Sequence, residues 1–164
     1  MSGLETNTET LGNQILAILS ENRVMAVATL RADGWPQTTM VGYIHDGLTL
    51  YFATTRTSQK LANLLADPRI SIAIGRHDQN GPNLRGLSMA ATATEVADPD
   101  AVGRLNTLLL ERYPEQEVFA PRGVSIAVLK VSPLFVSLID VGDGPDPAVL
   151  LRIDPATGAL LASV

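Results

Sequence analysis

The sequence predicts a mainly β, α+β domain: a six-stranded antiparallel barrel with a few flanking helices. Two observations carry this. Asp33-Gly34 and Asp46-Gly47 each lie between β-rich runs, and Asp-Gly is a strong hairpin signal because glycine takes the positive φ that tight turns need. Short apolar or alternating runs then recur to the end of the chain, broken by only two or three helical patterns. That is the element order of a small antiparallel barrel.

The elements follow in order. Thr6 and Glu9 have the spacing of a capping box, and Leu11, Ile15, Ile18 and Leu19 recur at helical spacing, which predicts a helix over 8–21. The two Asp-Gly turns separate three strands, about 24–31, 36–44 and 48–54. The first is apolar on both faces, Val24, Ala26, Ala28 and Leu30 against Met25, Val27 and Thr29, so it should be covered on both sides. One cover is the barrel core; the other is a helix or a partner subunit. A short helix over 57–66 carries Leu61, Leu64 and Leu65 on one side and stops at Asp67-Pro68. Strands at 69–74 and 86–96 flank a polar loop at 76–84. Asp98-Pro99 starts a helix that stops at Pro114. A sixth strand at 124–131 continues past Pro133 into 135–141, and the remaining tail reads either as a C-terminal hairpin or as a loose segment.

At 164 residues, with 46% apolar and 18% charged side chains, the chain is expected to be one domain, 1–164, with its core at about 10–140 and a tail at 141–164. Aromatic residues are only 4%, so the core is built from Val, Ile, Leu and Ala. A net charge of −5 argues against nucleic acid or an anionic membrane as partner, since both select basic faces. The absence of cysteine excludes disulfides, thiolate metal sites and a cysteine nucleophile, and fits a reducing compartment. No signal-peptide pattern and no apolar run of membrane-spanning length is present, so a cytoplasmic location is expected.

Candidate chemistry is sparse. The two histidines, His45 beside a turn and His77 in His77-Asp78, have no obvious nucleophile or third ligand nearby in sequence, and no metal site is expected. The phosphate-loop, dinucleotide-fingerprint and nucleophile-elbow motifs are all missing. What stands out is TTRTSQKLANLLADPR, residues 54–69, where Arg56, Ser58 and Lys60 crowd the start of a helix in an acidic chain. A helix N-terminus carries unsatisfied N–H groups and partial positive charge, which favours anions. Cations placed there cost stability unless an anion lies between them and the dipole. Arginine offers phosphate a planar fork, lysine a point charge and serine a hydroxyl. The alternative is a solvated helix start whose charges pair with Asp67 or other acids.

Taken together, these stretches resemble the pyridoxamine 5′-phosphate oxidase-like superfamily of FMN-binding split β-barrels. MAVATLRADGWPQTTMV (25–41) is similar to the family's first hairpin. LYFATTRTSQKLANLLADPRISIAI (50–74) is similar to its strand, polar turn, R-x-S-x-K-x-x-N-L helix, D-P-R and following strand, and GLSMAATATEVADPD (86–100) to its next strand and helix cap. The resemblance implies a homodimer with FMN at the subunit interface. It places flavin contacts on Thr39, Met40, Val41 and Gly42, on through Ile44, on Ala53 and Thr54, and on Gln59 and Lys60 at the phosphate. Arg56 and Ser58 join them from helix-end chemistry and from the motif of smaller family members. Gly86 matches a position where the true oxidases place a polar residue of the second subunit.

The departures are specific. Thr39 and Ile44 replace an arginine and a lysine of the true oxidases. Their late Trp and Arg, which bind substrate, have no counterpart, because Trp35 is the sole tryptophan. The expectation is therefore an FMN-dependent oxidoreductase acting on an unknown small molecule, and not a pyridoxamine-phosphate oxidase. The alternatives are a deazaflavin-dependent reductase, a non-catalytic flavin or haem binder, and a dimeric barrel that has lost its cofactor.

Overall fold

A computed structural model of the chain describes residues 2–77, 84–115, 125–141 and 148–161. It opens with helix α1 (Ser2–Glu21), followed by strands β1 (Val24–Leu30), β2 (Pro36–Gly42), β3 (Ile44–Asp46) and β4 (Thr49–Thr55). Helix α2 (Gln59–Ala66), strands β5 (Arg69–His77) and β6 (Leu84–Glu95), and helix α3 (Pro99–Arg112) come next. Strands β7 (Ile126–Val141), β8 (Ala148–Ile153) and β9 (Leu160–Leu161) complete the order.

All strand pairs are antiparallel, in the order β2-β1-β5-β6-β7-β4-β3, with β8 on β7 and β9 on β8. The sheet curls until β2 and β4 approach one another, yet they do not pair. The barrel is thus split on one side, as the resemblance implied.

Nine strands replace the predicted six among the described residues. The predicted 36–44 strand is divided at Tyr43: its N–H still bonds the Arg23 carbonyl, one step beyond the Val24–Gly42 pair, but from Ile44 the chain pairs with β4 as a separate short strand. The tail forms the hairpin β8–β9. The last long strand runs through Pro133 because the ladder skips there: Ala90 faces Phe135 and Ala91 faces Pro133, so Leu134 is extra. Such a bulge accommodates a residue without an N–H. Both Asp-Gly turns form, with Gly34 at φ 81° and Gly47 at φ 56°.

Helix α1 starts at Ser2, so Thr6 lies inside it and not at a cap. Most of the predicted 76–84 loop lies outside the described residues, although Arg76 and His77 belong to β5 and Leu84 to β6. Asp98 caps α3 as expected, accepting from the N–H of Asp100 and Ala101. The main core joins Ile15, Ile18 and Leu19 of α1 to the inward faces of the sheet, with Met25, Val27, Leu50 and Phe52 fully buried. A smaller cluster seats Leu105, Leu109 and Tyr113 of the α3 region on Ile44 and Val128 of the opposite face. No helix among the described residues is long and apolar enough to cross a membrane.

The double-faced apolar pattern of β1 is half covered. Met25, Val27 and Thr29 are buried, whereas Val24 is 48% exposed and Ala26, Ala28 and Leu30 are partly exposed. One row of this outer face crosses the sheet as Met40, Ala26, Ala73, Ser88, Ser137 and Leu150, small or apolar throughout and without a charge.

Candidate functional site

The cationic stretch lies where the sheet fails to close. Helix α2 follows β4 directly and packs against β1, β4 and β6. Its apolar side buries Leu61 and Leu64, but the third member of that side is Asn63, 2% exposed, and the predicted Leu65 points to solvent. Asparagine is a poor residue for a helix interior, and its partners explain it. Asn63 donates to Thr29 Oγ1 (2.9 Å) on β1 and to Gln37 Oε1 (3.1 Å) on β2, and accepts from Gln59 Nε2 (2.9 Å). One side chain thereby ties the start of α2 to two strands. Asn63→Ala is expected to cost about 1–2 kcal/mol, because it strands Thr29 and Gln37 without a partner; the shift of the urea midpoint followed by circular dichroism measures it.

Lys60 lies across the Phe52 ring, its nitrogen 5.8 Å from the centroid. It has no ion pair among the described residues, and partial burial pushes its pKa below the ordinary lysine value. Phe52 belongs to β4, and across the gap on β2 the hydroxyl of Thr39 is buried without a hydrogen-bond partner. Gln37, Thr39 and Val41 are the half-buried positions of β2, whereas Met40 is 66% exposed on the outer face and Gly42 is exposed. Beyond β1, β2 has no ladder partner, so its free backbone edge presents N–H and C=O groups toward the gap.

The other cationic and hydroxyl groups are already engaged. Arg56 forms a two-pronged ion pair with Glu95 of β6. Ser58 is the N-cap of α2: its Oγ accepts from Leu61 N (3.1 Å) and is hydrogen-bonded by Thr54 Oγ1 (2.9 Å). Of the acids the solvated reading allowed, Asp67 does not reach the cations, whereas Glu95 does reach Arg56. Asp67 pairs with Arg69 at 2.5 Å, which with the Arg69 N–H lowers its pKa to about 2. Ala53 packs beneath α3 on the reverse face of β4.

His45 is not a solvated turn residue, as its position suggested, but is 5% exposed. Its Nδ1 donates to the Gly47 carbonyl (3.0 Å), which fixes the tautomer and leaves Nε2 to accept from Ser20 Oγ (3.2 Å). Tyr43 donates to the Leu19 carbonyl (2.9 Å), so the end of α1 is latched twice. Arg112 donates to the His45 carbonyl (3.3 Å). Burial, the largest influence, lowers the His45 pKa below its ordinary 6.5; Arg112 acts in the same direction and the Gly47 hydrogen bond and Asp46 oppose it. The folded chain then binds fewer protons than the unfolded one at acid pH. Stability is expected to be full above the unfolded value of 6.5 and to fall as pH drops toward the folded value. Urea midpoints from pH 8 to 5 should show this limb, and His45→Gln should flatten it.

The family profile described as pyridoxamine 5′-phosphate oxidase matches residues 11–159. The chain belongs to this family. Within it, the chain is 22% identical to general stress protein 26 of Bacillus subtilis over 84% of the chain and 94% of that protein. It is similar to a solved F420 reductase, 27% identical with a TM-score of 0.58 over 74% of this chain and 94% of that one, and to a solved pyridoxamine 5′-phosphate oxidase-like protein of Listeria innocua, 23% identical with a TM-score of 0.62 over 78% of this chain and 97% of that one. The haem storage protein HutZ of Vibrio cholerae shares the fold at 16% identity with a TM-score of 0.63, over 74% of this chain and 88% of that one.

The structure brings Thr54, Ser58, Gln59 and Lys60 together around the start of α2 and places Thr39 on the strand across the gap. Glu95 was missed, since nothing in its local sequence links it to Arg56, 39 residues away. Gly86 is buried and faces Gly75 across the β5–β6 ladder, and the Ile44 side chain is fully buried under α3.

Proposed function

We propose that this family member is an FMN-dependent oxidoreductase working as a homodimer, with the coenzyme in the gap between β2 and β4. The observation that carries this is Lys60, a partly buried cation without an acid, beside a helix N-terminus and facing a strand with an orphaned buried hydroxyl. A phosphate satisfies such a cation, together with the first N–H groups of α2, which have no acceptor within the helix. Leu61 N is excluded, because Ser58 already caps it. The Thr39 hydroxyl and the free edge of β2 suit the polar rim of a flavin ring. FMN supplies the redox chemistry when bound; Lys60 and the α2 N–H groups hold its phosphate, and the β2 edge orients the ring. Ile44 could contribute only its backbone, since its side chain is covered by α3.

The substrate is not a vitamin B6 phosphate in this reading. The late tryptophan of the true oxidases is missing, and Trp35 is at a hairpin tip, 72% exposed. The uncharged outer row of the sheet supports the dimer, as does a hollow of about 380 Å³ beside Ala28, Leu30, Ala90 and Phe135. Continuous apolar surface of this kind marks association. Sedimentation is expected to give twice the chain mass, and a monomer at micromolar concentration would refute the shared site.

A deazaflavin coenzyme is the second reading, favoured by the likeness to the F420 reductase at 27% identity. Its long acidic tail needs several free cations, and near α2 Arg56 is held by Glu95. A haem site on His45 is disfavoured, since both of its ring nitrogens are engaged. The test is the visible spectrum of the purified dimer before and after exposure to FMN and, separately, to F420. Retained FMN supports the proposal; retention of F420 alone overturns it in favour of the second reading.

A further inference from the structure

On the reverse side of β4 from Lys60 lies a second concavity, of about 470 Å³, between α3 and the outer face of β3, β4 and β7. Phe52 faces the core and Tyr51 the opposite side, as alternation along a strand requires. The volume is that of a small-molecule site. Leu105 and Leu108 of α3 give it an apolar wall, and Tyr51 forms part of the strand side. Two cations line it from different elements: Arg104 from α3 and Lys130 from β7. Neither is firmly paired. Arg104 has only a long contact to Asp98 (3.9 Å), and Lys130 has no ion pair among the described residues. Asp46 is the one acid in the lining. Two positive charges against one negative leave a net single positive charge above an apolar wall.

We propose that this α3 groove is a second ligand site, taking a small apolar monocarboxylate whose carboxylate lies between Arg104 and Lys130 and whose body rests on Leu105 and Leu108. A single negative charge balances the lining, while Asp46 disfavours a dianion. Arginine holds carboxylate in bidentate fashion, and the partly apolar surroundings strengthen the contact. The site stands apart from the β2–β4 gap, so it does not depend on which coenzyme occupies that gap.

The test uses the intact protein with methyl-labelled leucine, titrated with sodium benzoate and, in parallel, with benzyl alcohol as an uncharged counterpart of similar size. Saturable shifts of the Leu105 and Leu108 methyl resonances are expected with benzoate. The dissociation constant should rise at least about tenfold in Arg104→Gln and in Lys130→Gln, each losing one charge-assisted contact. Both side chains are exposed at the groove rim, so both variants should fold. Equal binding of benzyl alcohol, undiminished benzoate binding in both variants, or no saturable shift would each overturn the proposal.

Discussion

Gly86→Val is expected to be the most damaging single change outside the large apolar core. A Cβ built on Gly86 falls 2.6 Å from the Ile74 carbonyl oxygen and 3.2 Å from the Gly75 Cα. These are backbone atoms of the neighbouring strand, so no side-chain rotation relieves the clash. Gly75 is the cross-strand partner, and its own Cβ would meet the Arg85 carbonyl at 3.0 Å. The two strands approach closely because neither residue has a side chain there. Relief requires β5 and β6 to separate in the middle of the sheet, at a cost of at least about 3 kcal/mol, the upper end of the usual range for overpacking. The urea midpoint of Gly86→Val against the parent chain measures this. A shift equivalent to less than ~1 kcal/mol would mean that the ladder opens easily. The same crowding leaves no room in this chain for a side chain at residue 86, where the true oxidases place a polar one.

Lys60→Ala is expected to raise the dissociation constant for FMN between about tenfold and a hundredfold, the equivalent of ~1.5–3 kcal/mol for a lost charge-assisted contact. Arg56→Ala should have a smaller effect, because the guanidinium must first leave Glu95 before it can serve a phosphate. The converse variant is the sharper one. Glu95→Gln releases Arg56 and should tighten FMN binding, while doing little to stability, since Arg56 is half exposed and pairs of that kind contribute little. Fluorescence titration of FMN against the three variants reads all of this. Unchanged affinity in both Lys60→Ala and Arg56→Ala would remove the phosphate assignment.

Local signals carried the fold as far as they reach. The Asp-Gly turns, the Asp98-Pro99 cap and the Asp67-Pro68 stop lie where the sequence puts them, because each is set within a few residues by φ preference or capping. What failed was longer in range. The division at Tyr43 reflects a change of ladder partner from β1 to β4, and the bulge at Leu134 what faces it across the ladder. Neither leaves a mark in a single chain read by periodicity. The site divides the same way. The R-x-S-x-K pattern marked the candidate groups and the helix that carries them, whereas the state of those groups was not legible. Glu95 holds Arg56, Ser58 caps its helix and Asn63 braces it, and all three facts depend on where strands meet.

The hairpin tip between β1 and β2 has a practical consequence. Trp35 is held there by hydrogen bonds to Arg31 and Asp33, yet its ring is 72% exposed, and it is the sole tryptophan. Its emission in the native chain should already resemble that of indole in water, so unfolding will change it little. The chain instead carries a single-address optical reporter. Any blue shift records another molecule closing over that tip, and any quenching records an absorbing coenzyme arriving within energy-transfer range.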